Sequence, residues 1–240
     1  MAAGDGSGPG VISPEQNMLL AAWPGATPSD LWLMRFEQGD TVQLPGTAVE
    51  AALFPVTAVL ALAVEADGVT DPVEVHHLGR EGAVGTSVLV GDRLIEPRIT
   101  CAVAGAAWVL PADELIAAAA ADDAVTQLVQ RYLHALTGHL ARRVACTSAH
   151  TLEHRFAAAL LTTTWQTGGG DTVALTQADL ARMLLVRRAT VSTAATRLAD
   201  AGVIRYRYGT ITIADPVALR ATACACHRTN HEAYLAVGAG

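Results

Sequence analysis

The chain has 240 residues, 51% apolar and 16% charged, enough to bury the core of one large domain or two ordinary ones and too hydrophobic for disorder. Its longest apolar stretch, Ala51 to Val64, is broken by Pro55 and too short to span a bilayer, and the start MAAGDGSGPG lacks the basic and apolar segments of a secretion signal. A cytoplasmic protein without membrane contact is expected. Four scattered cysteines, Cys101, Cys146, Cys224 and Cys226, do not space as a disulfide framework and fit a reducing compartment. The net charge of -7 speaks against nucleic acid until its distribution is read. Residues 1–120 carry four arginines against fifteen acids, net -11, whereas residues 121–240 carry twelve arginines against eight acids, net +4. Six of those arginines and a single acid, Asp200, lie between Arg182 and Arg207. All sixteen basic residues are arginine, whose planar fork suits bidentate contact.

Residues 1–14 read as a disordered arm. From Leu31 to Leu110 the pattern is one of short β-rich runs: Leu31 to Phe36, Thr41 to Leu44, Val56 to Glu65, Val73 to Leu78, Ile99 to Val103 and Ala106 to Leu110. Glycines and turn pairs separate them, as in an antiparallel sandwich or barrel rather than βαβ units. After Pro111 the chain turns helical. Val125, Val129, Tyr132, Leu136 and His139 alternate at four and three residues, a coiled-coil-like seam. Such a stripe is most economically buried against a symmetry mate, giving a two-fold dimer; the alternative is packing on the chain's own β module. A further helix from about Ala149 to Thr167 stops at Gly168-Gly169-Gly170.

The segment Leu175 to Leu180 reads as a helix start, with Thr176 as N-cap, Asp179 completing a capping-box variant, and Leu175 stapled to Leu180. This helix runs to about Leu184, a turn through Leu185, Val186 and Arg187 follows, and a second helix spans Arg188 to Ala201 before Gly202. Val203 to Tyr206 and Thr210 to Ile213, joined by Arg207-Tyr208-Gly209, add a two-stranded wing. On the second helix Val191, Ala194, Ala195 and Leu198 share the packing face, which leaves Arg188, Ala189, Ser192, Thr193 and Thr196 pointing outward. Small and hydroxylated residues entered by two arginines suit a major groove, where arginine reads guanine and the Thr methyl meets thymine. Arginines at a helix start oppose its dipole, so they serve an anion better than they serve stability. The expected DNA-contacting set is Thr176, Gln177, Arg187, Arg188, Ala189, Thr190, Ser192, Thr193, Thr196, Arg205 and Arg207, the last two placed for phosphates.

The run LTQADLARMLLVRRATVSTAATRLADAGVIRYRYGTITI, Leu175 to Ile213, resembles the winged helix-turn-helix of the Crp/Fnr superfamily of bacterial transcription regulators. Asn17 to Leu20, Leu53-Phe54-Pro55, His77 to Gly85 (HLGREGAVG) and Val144 to Phe156 extend the resemblance over about residues 15 to 228. It implies an α+β chain: an N-terminal antiparallel, jelly-roll-like β-roll of the cyclic-nucleotide-binding type (15–120), a long dimerisation helix (121–148), a winged helix-turn-helix DNA-binding domain (149–228) and a tail (229–240). Leu185 stands where the family commonly has glycine. The expected partners are double-stranded DNA and a second copy of the chain, with RNA polymerase among those such a regulator could engage.

The resemblance also marks an effector site at Gly85, Thr86, Arg98 and Ile99. Gly85 and Arg98 resemble two elements of a nucleotide site, but Thr86 stands where a ribose-binding glutamate would be, and Leu140 and Ala141 where hydroxyls often line the dimer helix. Losing the carboxylate removes a charge-assisted hydrogen bond of roughly 1.5 to 3 kcal/mol, which argues against tight cyclic AMP binding and leaves another small molecule, or none, as effector. Arg98 could equally pair with an acid of its own domain. No iron-sulfur cysteine cluster precedes Cys101. Cys224-Ala-Cys226-His227 with His231 gathers soft ligands, but the other half of a zinc motif is missing from the local sequence, so no metal site is expected. His150 and His154 read as a solvated or interdomain surface, and His76 and His77 as paired. No catalytic constellation is present, so an enzyme is not expected. The remaining alternative is a ligand-sensing module with a vestigial DNA domain that acts through protein partners.

Overall fold

The computed structural model describes residues 12–95 and 97–239. The arm expected at 1–14 therefore lies outside the described residues apart from its last three, of which Pro14 opens a 3-10 turn, Pro14–Gln16. A single helical turn, α1 (Met18–Ala21), follows, and then β1 (Trp32–Phe36), β2 (Thr41–Gln43), β3 (Ala51–Pro55), β4 (Val59–Val64), β5 (Val73–Leu78), β6 (Arg98–Val103) and β7 (Gly105–Pro111). They form two antiparallel sheets, ordered β1-β7-β3 and β2-β6-β4-β5. The apolar stretch Ala51 to Val64 is two strands rather than one. Strand β3 is buried nearly throughout and shows no alternation in sequence, and Pro55 ends it.

The helical half comprises α2 (Ala112–Ala121), α3 (Asp123–Ala149), α4 (Leu152–Gln166), the strand β8 (Thr172–Ala174), α5 (Gln177–Leu184), α6 (Arg188–Asp200), the hairpin β9 (Ile204–Arg207) and β10 (Thr210–Ile213), α7 (Pro216–Thr222) and α8 (Cys226–Val237). Asp122 caps the start of α3 with its side chain, and at the other end the C-cap His150 and the α4 N-cap Thr151 set the joint between the two helices. Two cores result. One joins the β-roll to α1, α2, α3 and α8; the other fills the α4 to α7 unit around Phe156, Leu160, Leu180, Val191 and Ile211.

Two expectations are corrected here. Residues 229–237, expected as part of a tail at 229–240, are helical: they continue α8, whose Tyr234 and Val237 are buried in the β-roll core. The stripe Val125, Val129, Tyr132, Leu136, His139 is not an open seam, because the chain itself fills it. Val125, Val129 and Tyr132 are buried, Leu136 packs beside them, and His139 lies against the Tyr234 hydroxyl at 3.1 Å and the His76 ring at 4.7 Å. The added helix α8 supplies apolar surface that the sequence pattern assigned to a symmetry mate.

The loop Gly79 to Gly85 is where the elements meet. Tyr132 of α3 donates its hydroxyl to the Ala83 carbonyl at 2.9 Å, and the buried Asn17 side chain donates to Gly82 and Pro55 carbonyls at 2.9 and 2.8 Å. Gln166, at the end of α4, donates to the Glu81 carboxylate at 2.6 Å and to the His77 carbonyl at 2.9 Å. Burial pushes the Glu81 carboxyl up to about 7, against the hydrogen bonds from Gly79 and Gln166 that favour the anion.

The folded chain thus keeps the Glu81 proton over a range in which the unfolded chain has lost it, between an ordinary value of 4.5 and about 7. Stability should fall as pH rises through that window, by about 3 kcal/mol at most, and level off above it. Buried His76, His77 and His139, all with lowered values, act in the opposite sense and are common to wild type and variant. Urea midpoints across the window should therefore decline with pH more steeply for the wild type than for Glu81→Gln; identical pH profiles would refute the buried proton.

Candidate nucleic-acid interface

Helix α5 begins as the sequence predicts. The Thr176 hydroxyl accepts from the Asp179 amide at 3.2 Å while the Asp179 carboxylate accepts from the Thr176 amide at 2.8 Å, completing the capping box. Leu180, Met183 and Leu184 are buried beneath it. The turn Leu185-Val186-Arg187 then reverses the chain into α6. Leu185 carries φ 56° and ψ 48°, the left-handed conformation for which glycine is the usual choice, and its side chain is 41% exposed. Val191, Ala194, Ala195 and Leu198 of α6 are buried against α5 and α4. The opposite face presents Arg188, Ala189, Thr190, Thr193 and Thr196 to solvent, with Ser192 half-buried at its edge.

Arg187 is the N-cap of α6 and provides no side-chain cap, so the first-turn amides meet solvent beside two exposed guanidinium groups. Amides and cations converge there as they do at anion sites. Strands β9 and β10 pair through Ile204 with Ile213 to Arg207 with Thr210, and Tyr208 and Gly209, at φ 49° and 76°, make the two-residue turn whose twist suits a hairpin. Arg205 and Arg207 sit two apart on β9 and so share a face. Arg207 lies 5.2 Å from the centre of the exposed Tyr208 ring. The Tyr206 hydroxyl accepts the Gln177 amide at 3.1 Å, which joins the wing to the start of α5. Sequence pattern missed β8, three residues that pair with β10 and complete the sheet.

Among the described residues, Arg187, Arg188, Arg205 and Arg207 make no ion pair. The neighbouring arginines are engaged: Arg197 pairs with Glu153, and Arg182 with Asp179 and, at 2.9 Å, with Glu74 of β5. Burial opposes the Arg182 charge, but these carboxylates raise its affinity for the proton; against the cost of burial, His77 and Arg182 in turn hold Glu74 below the usual carboxylate range. Gln38 of the β-roll donates to Asp179 at 2.9 Å, and Arg143 of α3 donates to the carbonyls of Glu74 and Met183, each at 2.9 Å. Helix α5 is thus docked on the β-roll while α6 stays open.

At the expected effector site, Gly85 has φ 82° and an added Cβ would lie 2.5 Å from the Ala51 carbonyl oxygen, so glycine is required. Thr86 is buried at the start of a 3-10 turn, Thr86–Val90. Ile99 points into the core, which removes its side chain from the effector set. Arg98 is half-buried on β6, with its Nε buried and without a hydrogen-bond partner among the described residues.

Residues 154–222 match the Crp-like helix-turn-helix domain. No curated protein matches the chain. Its fold is similar to that of FixK2 from Bradyrhizobium japonicum, with 16% identity and a TM-score of 0.67 over 81% of this chain and 98% of that one. It is also similar to a Crp-family transcriptional regulator from Thermus thermophilus, with 18% identity and a TM-score of 0.65 over 79% of this chain and 96% of that one. A Crp/Fnr-family regulator from the same organism shares 23% identity at a TM-score of 0.60, over 80% and 98% of the two chains. The C-terminal unit is therefore a Crp-like helix-turn-helix domain, carried on a chain with the α+β fold of Crp/Fnr transcription regulators. The resemblance to that superfamily read from the sequence is borne out. Among the described residues no helix is long and apolar enough to cross a membrane.

The left-handed Leu185 stores strain in the turn that aims α6. Leu185→Gly should raise the urea midpoint, by up to about 1 kcal/mol in stability, since glycine adopts this conformation without a Cβ penalty. A loss of stability would show that Leu185 packing on Pro72 and Val73, which line the same groove, outweighs the strain.

Proposed function

We propose that this chain is a sequence-specific transcription regulator of the Crp/Fnr type that binds an inverted-repeat operator as a homodimer, with an effector domain not tuned to cyclic AMP. The observation that carries this reading is the exposed outer face of α6, entered by the uncapped pair Arg187-Arg188 and flanked by Arg205 and Arg207, while the arginines around it are neutralised within the chain. Basic groups left free on one surface of an acidic protein serve a polyanion, and a helix face of small and hydroxylated residues enters a major groove without steric conflict. The same surface argues against a vestigial DNA domain.

Dimerisation uses the side of α3 turned away from α8. Thr126, Gln130, Leu133, Thr137, Leu140 and Val144 alternate at four and three residues there, and Leu140 and Val144 are exposed although apolar. A second copy of the chain fits this row, because an inverted repeat demands two recognition helices related by a two-fold axis. Replacing both Leu140 and Val144 by glutamate should convert the dimer to monomer in sedimentation and abolish binding to the full operator; an unchanged dimer would place the interface elsewhere.

Selection of bound sequences from random duplex DNA at near-physiological salt, with and without cyclic nucleotides, tests the reading as a whole. An inverted repeat recovered without nucleotide is expected; no enrichment in either condition would favour the partner-binding module. Once a site is known, Arg188→Ala should relax specificity at one base pair of each half-site, worth about 1–3 kcal/mol of discrimination, whereas Arg207→Ala should weaken all sequences alike and reduce the salt slope by about one per subunit. Equal losses on cognate and random DNA for Arg188→Ala would overturn its assignment to a base.

A further inference from the structure

Three cysteines and a histidine that lie far apart in sequence come together where α3, α4 and α8 meet. Cys146 is in the last turn of α3 and His150 is its C-cap, one helical turn on; Cys224 lies in the link from α7, and Cys226 is the first residue of α8. The Cys146 and Cys224 sulfurs are 3.6 Å apart, and His150 Nδ1 is 3.5 Å from the Cys146 sulfur and 3.7 Å from that of Cys226. All four donor atoms lie within 4.8 Å of one another. We propose that Cys146, His150, Cys224 and Cys226 bind one zinc ion as a tetrahedral Cys3His site.

The spacing is that of a tetrahedron around a single ion. Zinc bonds of about 2.3 Å to sulfur and about 2.0–2.1 Å to nitrogen set sulfur–sulfur edges near 3.8 Å and sulfur–nitrogen edges near 3.6 Å. Donors gathered this closely leave no room for a multi-iron cluster between them. The donor set, soft thiolates with one imidazole, is that of zinc rather than of calcium or magnesium, which take oxygen. With four protein ligands no coordination position stays open for a substrate, so the ion is structural or regulatory and not catalytic.

The surroundings suit the charge. Three thiolates and one divalent cation leave a single negative charge, and Arg142, Arg143 and Arg155 line the cavity of about 110 Å³ that Cys146 and Cys226 also border. Cys226 opens α8, where the helix dipole favours a thiolate, and His150 sits at the carbonyl end of α3, where it favours a cation. The link is held from outside the ligand set as well, by the Cys224 amide donating to the His154 carbonyl of α4 at 3.3 Å and by His227 Nδ1 at 2.8 Å from the Cys224 carbonyl oxygen. An ion here ties α8 to the joint between α3 and α4.

The full chain, expressed with zinc and dialysed without chelator, should carry about one zinc per chain by elemental analysis, and cobalt in its place should give thiolate charge-transfer absorption with the intense visible bands of tetrahedral coordination. Cys226→Ser and His150→Ala, both at half-exposed positions that tolerate change, should weaken zinc binding about tenfold or more in chelator competition, taking outer-shell losses as the lower bound, while Cys101→Ser, in the β-roll core, should leave it unchanged. Zinc should raise the thermal midpoint of the wild type and not of Cys226→Ser. The proposal fails if the reduced chain takes up neither zinc nor cobalt, if it holds iron in their place, if a Cys146–Cys224 disulfide persists in reducing buffer, or if Cys101→Ser lowers zinc content as much as Cys226→Ser. None of these readouts depends on DNA binding.

Discussion

The close approach of other elements to the Gly79 to Gly85 loop is the constraint from which the arrangement of the chain follows. An added Cβ on Gly79 would lie 2.4 Å from the Gln166 Cβ, and one on Gly82 would lie 2.3 Å from the Tyr132 ring. Two glycines thus let the end of α4 and the middle of α3 reach the same short loop, where Tyr132 and Asn17 take the Ala83 and Gly82 carbonyls and Gln166 binds the Glu81 carboxylate. Each bond is modest on its own, but a buried carbonyl without a partner would cost about as much as the bond is worth, so the contacts stand or fall together. Removing any one partner leaves its own acceptor buried and unsatisfied.

The charges divide along the same lines. Glu74, on the last strand before that loop, accepts from Arg182 and lies 2.9 Å from buried His77, and Arg143 crosses from α3 to reach both the Glu74 and the Met183 carbonyls. Glu74 of the acidic β-roll pairs with Arg182, which faces it. Arg187, Arg188, Arg205 and Arg207, at the start of α6 and on the wing, make no ion pair among the described residues and keep their charge for solvent or for a polyanion. An overall charge of -7 therefore coexists with a basic surface because the two halves of the chain differ in sign and only one face of the second half is paired.

Patterns confined to one element were legible in the sequence. The capping box at Thr176, the turn at 185–187, the packing face of α6 and the wing hairpin all follow from neighbours in the chain, and the structure reproduces them nearly residue for residue. Features that depend on a third element were not. The stripe Val125 to His139 has the same heptad spacing whether its partner is a second chain or α8, and nothing local to α3 distinguishes the two. Strand β3 hid within an apolar run because both its faces are covered. At the expected effector site Gly85 was read from the family resemblance, whereas the inward turn of Ile99 depends on the facing sheet. The Cys146-to-His150 spacing of four residues was visible, but it acquires meaning only when the fold carries Cys224 and Cys226 back to the end of α3.

That return of the chain bears on how the two halves communicate. Helix α5 touches the β-roll through Gln38 with Asp179 and Glu74 with Arg182, and the core beneath it also takes in Val59 and Val103 of the β-roll. The Gln38 contact is weak singly, whereas Glu74 is largely buried and would be costly to leave without its partner. The joint at His150-Thr151, by contrast, is a break between two capped helices, and α8 spans it from the β-roll core to Cys226. A ligand shifts a conformational equilibrium only by its differential affinity for the two states. A ligand of this chain would therefore have to bind differently according to how α5 sits on the β-roll or how α4 leaves α3 at His150-Thr151.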